Sequence, residues 1–434
     1  MQTLPSFDQS PPISGPLRFF LTAPLFAILA GVLILWSGPD LFASRWTPAA
    51  LALTHLITVG FMLQVMLGAM LQLLPVVAGA NMTRPLRVAT LVHAAITAGA
   101  LFLAAAFLTA APLLFEFAAA FLATGVMIFV GAAARALYGI PATSPTIPGL
   151  KLALIGLSVT VFSGVLLAIS LSLSLELPLL QLTNLHLGWG FVAWGCILLA
   201  TVGFVVVPMF QLTPEYPVWF GRSFPMAAFG AVALWTMADL AGWATPAALL
   251  AGAVVASGAV FSMVTLNIQR RSKRARRDAT HYFWQLAMAS AFVACALWMV
   301  TRFNVSLGEW QGWTLLFGVL LLFGCFMSVT IGMLYKIVPF LVWLHLQNRG
   351  RGRVLAPNMK KVLAQELVDR QMLAHFVACA LLLLAVLWPA WLVYPAGLSL
   401  IIANGWLLRN LVSATAVYRR HLVAIESATG LSPK

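Results

Sequence analysis

The chain has 434 residues, 62% of them hydrophobic and only 8% charged, with a mean hydropathy of +0.97. Soluble domains are about half apolar and a quarter charged, so this composition excludes a soluble globular protein and defines a polytopic membrane protein, one integral domain over 1–434. The formal charge of +14 is read as arginine and lysine gathered in cytoplasmic loops, with the lipid bilayer as partner and no nucleic acid.

A helix needs about twenty apolar residues to cross the hydrocarbon core. Twelve runs meet that need, near 17–37, 48–79, 88–110, 112–138, 151–174, 178–211, 222–242, 244–268, 280–301, 310–345, 370–388 and 390–419. The second, sixth and tenth are over-long and are expected to tilt or to extend beyond the bilayer. The leading stretch MQTLPSFDQSPPISGPLR lacks the basic region and cleavage site of a secretory signal. Loops after even-numbered spans carry TRPLR (83–87), RRSKRARR (270–277), NRGRGR (348–353) and YRR (418–420), whereas those after odd-numbered spans hold little beyond Arg45 and Arg302. The positive-inside rule then places both termini in the cytoplasm. Residues 358–372 read as an amphipathic segment lying along the inner surface. Cys196, Cys295, Cys325 and Cys379 stand far apart in apolar runs and read as packed thiols.

The over-long spans resemble one another. QLLPVV, VVVPMF and KIVPFL end them at Pro75, Pro208 and Pro339, separated by 133 and then 131 residues. Gly60 and Gly68 precede Pro75 by 15 and 7 residues, and Gly324 and Gly332 precede Pro339 by the same distances. His55 and His186 open the first two copies, 131 residues apart, with Val319 in the matching place of the third. The expected fold is therefore all-α, twelve transmembrane helices in a pseudo-threefold repeat of four-helix units.

Twelve spans in three such units, with GPLRFFLTAPLFAILAG in the first and THLITVGFMLQVMLGAMLQLLPVVAG following, resemble subunit I of the heme-copper oxidases and, more closely, the NnrS-type membrane proteins. The resemblance implies heme b, copper, and a part in nitric-oxide or respiratory homeostasis with respiratory or cytochrome partners. It matches His55 to the heme-ligating position of the second span and His186 to the copper-ligating position of the sixth. The chain departs from the oxidase pattern elsewhere: the seventh span (224–243) and the tenth (318–339) contain no histidine, and Gly190 stands where many oxidases place tyrosine. At most one of three copper histidines is present, so the isolated protein is not expected to reduce oxygen.

Intramembrane imidazoles are rare, and the neutral form is a good ligand for iron or copper, so His55 and His186 are the candidate cofactor and metal ligands. The competing reading makes each a hydrogen-bonded packing residue, which leaves a permease, a metal-handling protein or an accessory subunit open. His93, His281, His345, His375 and His421 are placed at or beyond cytoplasmic helix ends. Gly188, Gly190 and Gly195 are expected to clear space beside His186, with Trp189 and Trp194 offering flat faces to a macrocycle or anchoring at the interface. Met62, Met66 and Met70 repeat along one face, as core filling or a copper(I) relay. Gln64, Gln72, Asp239, Tyr335 and Lys336 complete the polar candidates.

Overall fold

The computed structural model describes residues 11–429 except 143, 311 and 351–355. Among these residues the chain is helical throughout, with no strand. Among the described residues twelve helices are long and apolar enough to span a membrane. They are Ser14–Ala43, Pro48–Ala78, Pro85–Thr109, Pro112–Leu137, Thr146–Leu173, Leu179–Gln211, Val218–Leu240, Ala244–Arg270, Ala279–Val300, Gly312–Gly350, Gln365–Leu387 and Pro389–Ser427. Pro48, Pro85, Pro112 and Pro389 are first helical residues, where a fixed φ suits the helix and the missing N–H is no loss.

Burial divides the twelve into two classes. The second, sixth and tenth spans bury 78%, 61% and 72% of their most apolar stretch, against 22–56% in the other nine. These three form the core. The rest close a ring around them in the order first, third, fourth, fifth, seventh, eighth, ninth, eleventh, twelfth and back to the first. Each set of four consecutive spans thus contributes its second member to the interior. In the second and tenth spans, glycines receive side chains from the span just before: Gly68 accepts Phe20 and Phe19 of the first, and Gly332 accepts Phe283 of the ninth. At Gly31 and Gly397 the first and twelfth spans cross so closely that a Cβ on Gly31 would lie 2.9 Å from the Gly397 carbonyl oxygen. Small residues permit that backbone approach where apolar attraction between helices is weak.

Each central span also carries an eight-residue π-helical stretch: Leu56–Leu63, Trp189–Cys196 and Leu320–Met327. Their first residues precede Pro75, Pro208 and Pro339 by 19 residues in every case. π-Turns are rare and gather at functional sites. In this frame His55 directly precedes its stretch while His186 stands three residues ahead of its own. The two histidines are therefore two positions out of register, about 200° around a helix. They match in depth but do not repeat one helical position.

The segment expected on the inner surface is shorter than the sequence implies. Only Met359–Val362 forms a separate turn, capped by Asn358, and the eleventh span begins at Gln365. Arg351 and Arg353 of the basic loop lie outside the described residues. In the preceding basic loop Asp278 caps the ninth span through the His281 amide and pairs with Arg274 and with Lys336, 2.6 Å away on the tenth. Burial raises the Asp278 carboxyl, but the Lys336 hydrogen bond and charge, Arg274 and the His281 amide together hold it below its usual value. A depressed native pKa contributes stability above the unfolded value, about 3.9, which is lost as pH falls through the native value. Thermal stability of the purified protein should therefore show an Asp278-dependent loss confined to the region below about pH 4. In Asp278→Asn that part should vanish, and an identical acid profile in the variant would refute the assignment.

Candidate functional site: two imidazoles at one end of the core

His55 and His186 each lie seven residues past the start of their span, at Pro48 and Leu179, and so about 10 Å along the helix axis. Both residues are half-buried. His55 Nδ1 is 2.8 Å from the Leu51 carbonyl oxygen, and its ring stacks on Phe107 of the third span with centroids 5.1 Å apart. His186 Nδ1 is 3.0 Å from the Thr160 carbonyl oxygen and 3.2 Å from Ser163 Oγ, both on the fifth span. The Ser163 hydroxyl is within 3.0 Å of the Val159 and Thr160 carbonyls and can donate to them. A carbonyl only accepts, so in both neutral imidazoles the proton belongs on Nδ1 and the lone pair on Nε2. No described protein group bonds either Nε2. Holding Nδ1–H on a carbonyl is how ligating histidines are fixed in tautomer and direction.

The core is loose at this end. Gly312–Gly318 of the tenth span are half-buried on every face of the helix, as are Thr54, Thr58, Leu187 and Gly188, whereas Gly60–Gly68, Ala193–Leu198 and Leu322–Tyr335 are buried throughout. The central helices are only partly covered at this end of the bundle. Two small clefts lie elsewhere, one of about 10 Å³ beside Thr146 and Val206 and one of about 40 Å³ beside Pro11 and Pro75.

Two expectations about this region change, and a third, core filling by the methionines, agrees with their burial. The glycines near His186 do not clear space for a macrocycle. Trp235 lies against Gly188, Thr160 against Gly190 and Phe326 against Gly195, so these positions serve helix contact. Gly164 of the fifth span does face the imidazole, where a Cβ would sit 3.0 Å from Cε1. Trp189 and Trp194 are buried, with the Trp189 indole donating to Thr236 Oγ1 at 3.0 Å, so neither anchors at an interface. Met62, Met66 and Met70 are all buried in the main core cluster, as filling side chains are.

Not all remaining histidines sit at helix ends. His375 is ten residues into the eleventh span and wholly buried, and His93 is eight residues into the third, with Nε2 2.8 Å from Thr22 Oγ1. His281, at the start of the ninth span, is buried as well. His345 and His421 do lie near the ends of the tenth and twelfth. The sequence signal for His375 was its four-residue spacing from Gln371 and Cys379, one face of a helix. Gln64 bonds Thr97 and Gln72 bonds Pro11, while Lys336 pairs with Asp278 and Tyr335 with Asn410. They form separate local contacts.

Among the described residues no three His, Cys, Asp or Glu side chains converge as a metal site. The four cysteines are buried and free. The chain matches no known family model and no curated protein.

Proposed function

We propose that this is a multi-pass protein of the bacterial inner membrane that binds b-type heme through His55, His186 or both. In this reading three four-helix units each give their second helix to a central trio, as in NnrS-type proteins and heme-copper oxidase subunit I. The observation that carries it is the pair of intramembrane imidazoles, each with Nδ1 held by a carbonyl and Nε2 left to bond, in the loosened end of the core. Heme asks the protein only for axial ligands, so two imidazoles suffice. A copper ion on the same pair would want a third donor, and none converges there among the described residues, which favours heme over copper. When bound, the heme supplies redox and small-gas chemistry at iron. This chain's own residues do the rest: the Leu51 and Thr160 carbonyls fix the imidazole tautomers, Phe107 holds one ring face, and Gly164 lets the His186 ring approach the fifth span closely.

The absorption spectrum of the purified protein tests the reading. A Soret band that forms the pyridine adduct of heme b supports it, and its absence after expression in heme-replete cells moves a heme-free permease or metal-handling role ahead. Orientation is tested separately. Reporter fusions after residues 176 and 305 should give periplasmic signals and one after 275 a cytoplasmic signal, as the arginine bias requires. Inverted signals would overturn the placement of both termini.

A further inference from the structure

Away from the histidine pair, the eleventh span carries a second run of polar groups. Leu367, Gln371, His375 and Cys379 recur every four residues, so they share one helix face at steps of about 6 Å. This face meets the tenth and twelfth spans. At its first level Asn410 Nδ2 donates to Tyr335 Oη at 3.0 Å and to the Leu367 carbonyl oxygen at 3.2 Å. One turn deeper, Gln371 Nε2 donates to the Ala403 carbonyl oxygen at 3.2 Å, and the adjacent Asn404 donates to Leu400. Deeper again, Ser328 Oγ donates to the Phe323 carbonyl oxygen at 3.0 Å. That oxygen lies in the π-helical stretch of the tenth span. With its proton so used, Ser328 Oγ accepts from His375 Nε2, 2.8 Å away, which leaves Nδ1 as an acceptor.

The arrangement is incomplete chiefly among its acceptors, though Trp406 Nε1 on the twelfth span is a buried donor without a partner as well. Gln371 Oε1, Asn404 Oδ1 and His375 Nδ1 are all buried without a hydrogen-bond partner. All three are acceptors, and their residues are completely buried. Groups of this kind are costly to leave unpaired in an apolar interior, and buried water is what ordinarily satisfies them, at two to four bonds per molecule. A metal cation is the weaker candidate because no acidic side chain lies on this face. At its entrance Tyr335 adjoins Lys336, which reaches Asp278 in the basic loop.

We infer that bound water threads the contact between the tenth, eleventh and twelfth spans, from the end of the bundle bearing the basic loops to His375. His375 stands ten residues past Gln365, about 15 Å along the axis and half of a hydrocarbon core. Water bound along this face makes it a solvent-exchanging imidazole in the middle of the membrane. It does not depend on heme at His55 or His186.

Radiolytic hydroxyl-radical footprinting of the full chain in detergent, read by mass spectrometry, tests this. The radical forms from water in place, so a buried side chain is oxidised quickly only where water is bound beside it. Cys196 and Cys325 are buried thiols like Cys379 but lie off this face, so they serve as internal controls. Cys379 should be oxidised several-fold faster than both, with His375 also labelled. In Gln371→Leu the Cys379 rate should fall toward theirs. Labelling of Cys379 no faster than Cys196 and Cys325 in the unaltered protein would overturn the inference, with no variant needed. Faster labelling that persists unchanged in a folded Gln371→Leu protein would overturn the assigned route.

Discussion

Replacing both His55 and His186 with alanine should remove the Soret band while the protein still purifies as a folded, monodisperse species. Each single variant should bind heme more weakly. Outer partners of a ligand are typically worth about 10–100-fold in affinity, and loss of the ligand itself should exceed that. The fold should tolerate the changes because both rings are half-buried and sit where the core is already loose. His55→Ala leaves Phe107 without its stacking partner but deletes no bond between spans, since His55 Nδ1 bonds its own helix. His186→Ala does break a link between the fifth and sixth spans, so its thermal stability should fall somewhat further. Ser163→Ala is the control: the Thr160 carbonyl remains to hold Nδ1, so heme content should change little. Full heme retention in the double variant would remove both residues from the site and make them helix-packing groups.

How far the sequence reaches can be seen at these positions. The spans were legible because hydrocarbon leaves a long apolar run no alternative to a helix, and because prolines such as Pro48, Pro85, Pro112 and Pro389 mark helix starts. The special standing of the second, sixth and tenth spans was legible as excess length and a shared proline spacing. Their central placement was not, since burial by protein and burial by lipid leave the same apolar signature. The π-helical stretches were hidden for a related reason: LITVGFML and LLLFGCFM are apolar on all faces, so no periodicity reports a change of winding. The histidine pair could be picked out as intramembrane imidazoles, but what bonds their Nδ1 atoms lies on backbone carbonyls, one of them 26 residues away. Glycines were the least readable. A glycine announces that something comes close, not what, and beside His186 the visitors are Trp235, Thr160 and Phe326 rather than a cofactor.

The glycine with the largest expected effect is Gly156, on the fifth span. A Cβ placed there would lie 2.5 Å from both the carbonyl carbon and the oxygen of Ala193 and 2.8 Å from the Trp194 nitrogen. Favourable contacts begin near 3.5 Å, and these atoms are backbone of the central sixth span, within its π-helical stretch, so no side-chain rotation relieves them. Gly156→Ala must push the fifth and sixth spans apart by about 1 Å, and overpacking of this kind costs about 1–3 kcal/mol, sometimes more. The displacement also reaches the histidine site. Thr160 is one turn along, its hydroxyl donates to the Gly156 carbonyl oxygen at 2.7 Å, and its own carbonyl holds His186 Nδ1. Gly156→Ala should therefore lower both the melting temperature and the heme content. Gly131, on the fourth span, has nothing within 4 Å of its Cβ position. There the same substitution adds a better helix former without a clash, a change of at most about 1 kcal/mol in the favourable direction. If heating and size-exclusion recovery show Gly156→Ala to be as stable as Gly131→Ala, with heme content intact, the fifth and sixth spans do not meet as described and the anchoring of His186 through Thr160 fails with them.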